Sequence, residues 1–374
     1  MISYTQPKLI NEKTKVPNRK LQRIAKNTGM TLIWPVACLI VAYILSAATG
    51  TKLFQSSTNF WLFMSTVTTT LIAMWALNTN LNSGRMDFSL GATGILAALL
   101  ASKLLDGVVS FNTMSGVMTY LLLCVILGMA VGLFSGMIYI ITRLPAIVTS
   151  LGTCLILEGI ATVVQGASGT VQYRASGTLA ARFMSQPVNI IVILAIILIV
   201  MSLIICYSRF GYNKNALVYN QKIACDTGIK EIPHCIACYI IAGALIALYQ
   251  ALNNLSSTYM TISVDLGSAS TVFRNFLPIF IGSMMAKYSN QLISSFAAAF
   301  ATTVLDRGLE NAAALGITSP IQSLITSVMI LLVLVYMVDK YVFINWFKMR
   351  RYLHKQKKLG LNPQTKPEKT KKKS

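Results

Sequence analysis

The amino-acid sequence predicts an all-α integral membrane protein with about ten transmembrane helices and both termini in the cytoplasm. Composition is the first reason: 55 % of the 374 residues are hydrophobic and only 11 % are charged, whereas soluble proteins contain about 25 % charged residues. The second reason is a series of apolar runs of about 20 residues, the length that crosses the hydrocarbon core as an α-helix. The third is an uneven distribution of Lys and Arg between the two sides that these runs define.

The apolar runs follow one another through most of the chain and leave short connections between them. The eighth and ninth runs are short and could be broken or re-entrant. The predicted spans are 31–49, 59–79, 87–105, 117–141, 145–165, 188–207, 235–253, 271–286, 290–306 and 319–338.

The positive charges fall mainly on one side of these spans. An even number of spans places both termini and the loops near 79–86, 142–144, 208–234 and 287–289 together. The opposite side keeps only Lys52, Lys103, Arg174, Arg182, Arg274 and Arg307. Because cytoplasmic loops are enriched in Lys and Arg, the richer side is predicted to be cytoplasmic, in a multi-pass protein of the cell membrane.

Three regions follow from this pattern. Residues 1–30 form a basic cytoplasmic segment without the apolar core of a cleaved signal. Residues 31–338 form the membrane domain. Residues 339–374 form a Lys-rich tail that lacks apolar periodicity and is predicted to be disordered. The net charge of +21 is concentrated next to the membrane, which favours anionic lipid over nucleic acid as the partner of the basic ends.

The loop 208–234 is the one sizeable interior stretch that is polar enough for water. It carries Arg209, Lys214, Lys222 and Lys230 together with Asp226 and Glu231. Its middle, from Asn220 to Gly228, is predicted to form a short helix that ends at the glycine. A protein embedded in lipid can meet a soluble partner only through such a loop or its tails.

Three polar residues inside or beside the spans are candidates for the translocation path: Asp87, Ser89 and Glu158. A carboxylate in a membrane span is costly unless it is paired or functional. Arg85 is the expected partner of Asp87, and an Asp at a helix start also caps backbone N–H groups. Structural capping and substrate contact both remain open for Asp87.

Small residues predict close helix packing in the fourth and fifth spans. Gly128, Gly132 and Gly136 recur every four residues, a spacing that lets helices approach closely in lipid. Arg143-Leu-Pro145 is predicted to be the turn of a tight hairpin between these spans, with Gly152 a further packing position.

Catalytic motifs are absent from the sequence. It has no phosphate-binding Gly-x-x-x-x-Gly-Lys-Ser/Thr loop and no His-Glu-x-x-His, and its only histidines are His234 and His354. Cys235 and Cys238 form a Cys-x-x-Cys, but no second pair of ligands lies nearby in sequence, so packing is favoured over zinc binding. We therefore expect no catalytic residue, no metal and no cofactor.

Three stretches resemble the permease subunits of bacterial ABC importers for ribose and related monosaccharides, a group related to branched-chain amino acid permeases. The most specific is Pro145-Ala-Ile-Val-Thr-Ser-Leu-Gly-Thr153, preceded by Gly132-Leu-Phe-Ser-Gly136. The second is Ser83-Gly-Arg-Met-Asp-Phe-Ser-Leu-Gly91. Arg209-Phe-Gly211 and the residues up to Ile229 are similar to the family's cytoplasmic loop.

The resemblance implies a permease that imports a monosaccharide-type polar solute while separate ABC ATPase subunits hydrolyse ATP. A second permease copy or a homologous permease would complete the pathway, and an extracytoplasmic solute-binding protein would deliver the solute. The resemblance also implies that the loop helix couples the permease to the ATPase. The coupling residues would be Asn220, Gln221, Lys222, Ala224, Asp226, Gly228 and Ile229.

Two alternatives stay open. The same machinery could carry a nucleoside or a branched-chain amino acid, or the chain could be a non-transporting membrane scaffold or sensor subunit. The chain departs from the family at Lys222-Ile223, where Glu-Ala is usual, and at Val218-Tyr219, where paired glycines are usual. Arg85 replaces a glycine, and Glu158 stands where a basic residue is common. These departures favour a partner that is dedicated to this permease.

Overall fold

The computed structural model describes residues 19–81, 83–166, 170–172, 179–257 and 259–338. The basic N-terminal segment as far as residue 18 lies outside this range. The tail 339–374, with the disorder and lipid contacts predicted for it, also lies outside the described residues.

The described residues are almost entirely helical, which confirms the predicted fold class. The helices are α1 (Arg19–Ala48), α2 (Ser57–Leu81), α3 (Leu90–Leu105), α4 (Met114–Thr142), α5 (Ala146–Gln165), α6 (Leu179–Phe183), α7 (Pro187–Ser202), α8 (Arg209–Tyr219), α9 (Gln221–Asp226), α10 (Glu231–Ser256), α11 (Ala269–Arg274), α12 (Phe276–Met285), α13 (Gln291–Asn311) and α14 (Ser319–Val338). A π-helical turn, Leu203–Tyr207, continues α7, and a 3-10 turn, Ala312–Leu315, follows α13.

Strand structure is limited, among the described residues, to one small antiparallel ladder. β1 (Thr170–Gln172) pairs with β2 (Tyr259–Thr261), with Val171 opposite Met260. This ladder joins the segment after α5 to the segment after α10.

Each predicted span coincides with a helix, or in the eighth case with two short helices. Seven helices in the described part of the chain are long and apolar enough to cross a membrane. Among the predicted spans outside these seven, α3 is short and α13 carries Asp306, Arg307 and Glu310 near its end. The eighth predicted span is divided at Asn275 into α11 and α12, as its length indicated.

The centre of the bundle is α10, which packs against α2, α3 and α4, while α1 packs against α13. The largest fully buried side chains include Trp75 and Leu71 of α2 and Tyr120 of α4. The long-range partners of α10 bring its first turn close to the loop between α2 and α3. That junction positions the candidate site.

The regularly spaced glycines of α4 pack against α10. A Cβ on Gly128 would overlap the carbonyl oxygen of Gly243, and one on Gly132 would overlap the carbonyl oxygen of Tyr239. A Cβ on Gly136 would lie 3.0 Å from the Cβ of Tyr239. From the sequence, these glycines were predicted to pack in a hairpin with the fifth span. In the structure they contact α10 instead of α5. Spacing identifies a close-packing face without identifying the helix that covers it.

Candidate functional site

The polar loop between α7 and α10 folds into two helices, α8 and α9. Asn220 separates them, and its side-chain oxygen accepts a hydrogen bond from the backbone N–H of Ile223 at 3.1 Å, which caps the start of α9. The N–H of Ile229 donates to the carbonyl of Ala224 at 3.2 Å, and Gly228 has a φ of 94°. The predicted short helix ending at this glycine is confirmed, whereas α8 was not expected from the sequence.

The outer surface of α8 and α9 presents both charged and apolar side chains. Gln221, Lys222 and Asp226 are exposed, while Ala224 is buried and fixes α9 to the protein. Tyr212 is 78 % exposed and Ile223 is 60 % exposed. Exposed apolar side chains mark a protein–protein contact when they form a contiguous patch, whereas single ones are common on any surface.

Lys214 is buried on the inner side of α8, although its place in a polar loop predicts a solvated side chain. Burial lowers the pKa of Lys214, and the nearby thiol of Cys238 opposes this shift. An amphipathic helix places one face inward, so a lysine on that face becomes buried even when the segment as a whole is polar.

Arg85 joins the loop before α3 to the first turn of α10. Its Nη2 donates to Oε1 of Glu231 at 2.8 Å, and its Cζ lies 5.8 Å from the centre of the Tyr139 ring. Arg85 was expected to pair with Asp87, its neighbour in sequence. Its observed ion-pair partner is far away in sequence, and the adjacent carboxylate is satisfied by other donors.

Asp87 organises the turn that leads into α3. Its Oδ1 accepts from the backbone N–H of Ser89 at 2.9 Å and from the Ser89 hydroxyl at 2.6 Å. Its Oδ2 accepts from Nδ2 of Asn80 at 3.1 Å. Both Asp87 and Ser89 are buried, so this geometry accounts for the carboxylate as a local cap and gives it hydrogen-bond partners within the chain.

Glu158 holds the turn that precedes α11. Its Oε2 accepts from the backbone N–H of Leu266 at 2.9 Å, and its Oε1 accepts from the N–H of Ser268 at 2.9 Å. Leu266 has a positive φ of 65° and so does its neighbour Asp265, at 56°, a conformation that non-glycine residues adopt only when neighbouring groups hold it. The buried carboxylate therefore stabilises a strained turn.

The two carboxylate-held turns pack against each other. A Cβ on Gly91, in the first turn of α3, would overlap the carbonyl oxygen of Ser268. The Cys154 thiol lies 3.2 Å from the Ser268 hydroxyl on the other side. The structure thus brings the turn held by Asp87 and Ser89 next to the turn held by Glu158.

His234 and the two cysteines after it fill the space under α8. The imidazole of His234 stacks on Phe210, with 4.7 Å between the ring centres. Its Nε2 is buried and has no hydrogen-bond partner within the described residues. Cys235 and Cys238 are buried, and Cys238 Sγ lies 3.7 Å from the Ser83 hydroxyl. No set of three or more His, Cys, Asp or Glu in the described ranges could hold a metal ion.

The turn at Arg143-Leu-Pro145 connects α4 to α5. Arg143 has a φ of 54°, and its N–H donates to the Tyr139 carbonyl at 3.3 Å, which ends α4. Pro145 is the residue before α5 and is exposed. Gly152 is also exposed, and a Cβ there would meet nothing within 4 Å in this chain. Gly152 therefore has no packing role among the described residues.

Sequence reasoning missed the polar junction made by Arg85, Glu231 and Lys214 beneath α8. One signal was available: Arg85 and Glu231 both lie at predicted span ends on the same side of the membrane. That placement brings them to one surface but leaves their pairing undetermined.

The family model described as "Branched-chain amino acid transport system / permease component" matches residues 61–335. No curated protein and no solved structure matches the chain. The matched region begins in α2 and ends in α14, so it includes both carboxylate-held turns and the helices α8 and α9.

Proposed function

This chain belongs to the family of permease components of branched-chain amino acid transport systems, and we propose that the solute it moves is a monosaccharide-type polar molecule. It is a multi-pass permease subunit of the cell membrane. We place ATP hydrolysis in separate ABC ATPase subunits and solute capture in an extracytoplasmic binding protein. A second copy of this chain or a homologous permease would complete the pathway.

The outer face of α8 and α9 is the observation that carries the proposed coupling to an ATPase. It combines exposed charge with exposed apolar side chains, Tyr212 and Ile223, on the side that the charge distribution assigns to the cytoplasm. Beneath it, the ion pair between Arg85 and Glu231 connects the end of this loop to the turn before α3. A force on α9 would therefore reach the turn that contains Asp87 and Ser89.

The monosaccharide assignment is supported by the segment Pro145 to Thr153 and its resemblance to ribose-type permeases. Asp87, Ser89 and Glu158 are proposed to shape the pathway by fixing the two turns. In this role they determine where backbone and helix ends lie, without themselves binding the solute.

The proposal is tested by solute uptake into vesicles that contain the permease, its ATPase and its binding protein. Replacing residues 220–229 by a Gly/Ser linker should abolish ATP-dependent uptake while the permease still inserts and folds. The matched control is Lys103→Gln, since Lys103 is exposed at the far end of α3. ATP-dependent uptake that persists after the linker replacement would contradict the coupling role.

A branched-chain amino acid is the second candidate solute, because the matching family is described by that substrate. The binding protein sets most of the selectivity. Competition of ribose, leucine and a nucleoside for its binding site therefore shows which class of solute is transported. If only leucine displaces the solute bound to the binding protein, the transported solute is a branched-chain amino acid and not a monosaccharide. The proposed coupling mechanism of the permease would be unchanged.

A non-transporting scaffold is the third candidate, favoured by Lys222 and Val218 at positions where the family usually has other residues. The scaffold hypothesis predicts that no ATPase subunit co-purifies with the chain. Recovery of an ATPase with the wild-type chain, and its loss when Ile223 is changed to Asp, would support the transport assignment over the scaffold.

A further inference from the structure

A cavity of about 460 Å³ opens between α1, α12 and α14, apart from the candidate site. Trp34 lines it from α1, Met284 from α12 and Val333 from α14. None of its lining residues belongs to α3, α5, α8, α9 or α10. Its volume falls within the range of about 300–1,000 Å³ that is typical of ligand sites.

The lining of the cavity is apolar with a polar edge. Met, Ile, Leu, Val and Trp side chains make its walls, and Lys287, Tyr288 and Tyr336 also contribute to it. Lys287 is exposed, while Met285 and Val333 are buried. Such a site suits an amphipathic ligand whose apolar part contacts the walls and whose negative group meets the lysine.

The cavity also lies where the two ends of the membrane domain meet. Met30 contributes from the start of the membrane-spanning part of α1, Asn27–Ala48, and Tyr336 from the end of α14. The adjoining sequence on both sides is rich in Lys and Arg, including Lys20, Arg23, Lys340 and Lys348. Basic pockets between transmembrane helices on the cytoplasmic side are suited to the head groups of anionic lipids.

We propose that this cavity is a binding site for an anionic phospholipid. One acyl chain lies along Trp34, Met284 and Val333, and the phosphate is bound by the Lys287 ammonium group. Charge complementarity selects this occupant, because a zwitterionic lipid would bring a second positive charge to the same edge. The proposal does not depend on the transported solute or on the coupling role of α9.

Native mass spectrometry of the purified full-length protein with added phosphatidylglycerol or phosphatidylcholine measures the head-group preference. Lys287→Gln should weaken phosphatidylglycerol binding about fivefold, the change expected for one lysine near anionic lipid. It should leave phosphatidylcholine binding unchanged. Lys222→Gln is the matched control, because it removes an exposed lysine remote from the cavity. Equal binding of the two lipids, or an equal loss in both variants, would overturn the proposal.

Fluorescence quenching locates the acyl chain. Phosphatidylglycerol with brominated acyl chains, added to the protein in detergent, should quench Trp34 more than the brominated phosphatidylcholine does. The Trp34 signal is the part of the emission that Trp34→Phe removes. Lys287→Gln should abolish the difference in Trp34 quenching between the two brominated lipids. Ile33→Trp, which narrows the cavity, should reduce phosphatidylglycerol binding. If Trp34 is not quenched, the cavity is covered by the chain's own segments or by a second copy, and the lipid proposal fails.

Discussion

Arg85 donates to Glu231 across 2.8 Å, so the loop between α2 and α3 is fixed to the first turn of α10. The guanidinium side chain is almost fully buried, while the carboxylate is 37 % exposed. The solvent exposure of this pair is therefore intermediate between that of a surface ion pair and that of a fully buried one. It connects the turn that holds Asp87 to the start of α10, which directly follows the α8–α9 segment in sequence.

Breaking this pair should destabilise the protein more than breaking an exposed pair. Pairs at the surface contribute less than about 1 kcal/mol, and loss of one partner of a buried pair costs about 3–5 kcal/mol, so we expect a coupling energy of about 1–2 kcal/mol between Arg85 and Glu231. A double-mutant cycle of Arg85→Ala and Glu231→Ala, followed by thermal unfolding in detergent, measures it. Arg307 and Glu310, an exposed pair at 3.1 Å, form the matched control cycle. Equal coupling energies in the two cycles would contradict this prediction.

Lys214→Met should remove a dependence of stability on pH. Burial lowers the pKa of Lys214 below its ordinary value of 10.5. At pH values between the lowered pKa of the folded chain and the ordinary pKa of the unfolded chain, the unfolded chain binds more protons than the folded chain. The free energy of unfolding of the wild type therefore rises with pH across that window. Below the window the cost of burying the charge is fully present. The variant should unfold at a higher temperature near neutral pH and lack this rise.

The exposed Lys222 provides the control for this titration. Lys222→Met should retain the wild-type slope of unfolding temperature against pH. A wild-type slope in Lys214→Met would show that other groups cause the pH dependence.

Glu158→Gln separates a structural carboxylate from one that contacts the solute. The amide keeps the size of the side chain but points an N–H₂ group toward one of the two backbone N–H donors, leaving that donor unsatisfied. An unsatisfied buried donor costs about 1–3 kcal/mol, which should appear as a lower unfolding temperature. The KM for uptake should stay near the wild-type value in the molecules that fold. A raised KM without loss of stability would instead assign Glu158 to the solute. Glu310→Gln, at an exposed acid, controls for the charge change.

Gly132→Ala should destabilise the contact between α4 and α10. A methyl group there would overlap the backbone oxygen of Tyr239, and forced overpacking costs about 1–3 kcal/mol. Gly152→Ala is the matched helical control, because the added methyl group would meet nothing within 4 Å. The measurement is thermal unfolding of both variants in detergent. A loss of stability in Gly152→Ala as large as that in Gly132→Ala would contradict the assignment of the α4–α10 contact.

The positions of the helices could be predicted from the sequence because apolar length and periodicity are local properties. The glycine at the end of α9 could be predicted for the same reason, since Gly228 must adopt a positive φ. The partner of a residue is not a local property. Arg85 was assigned to Asp87 by proximity in sequence, but folding brings Glu231 to it while Asn80 and Ser89 satisfy Asp87.

Glu158 illustrates the same limit in the candidate site. Its charge within an apolar run correctly marked it as a residue that needs partners. Those partners are backbone N–H groups of Leu266 and Ser268, and backbone donors leave no signature in a sequence. The functional interpretation of such a residue therefore requires the tertiary structure.

The contact between α4 and α10 limits how the protein can change shape. At Gly128, Gly132 and Gly243 the two backbones touch without intervening side chains, so no rotamer change can absorb a displacement of one helix along the other. We therefore expect these two helices to move together as one unit. A change of shape during transport is then expected to occur along other helix boundaries.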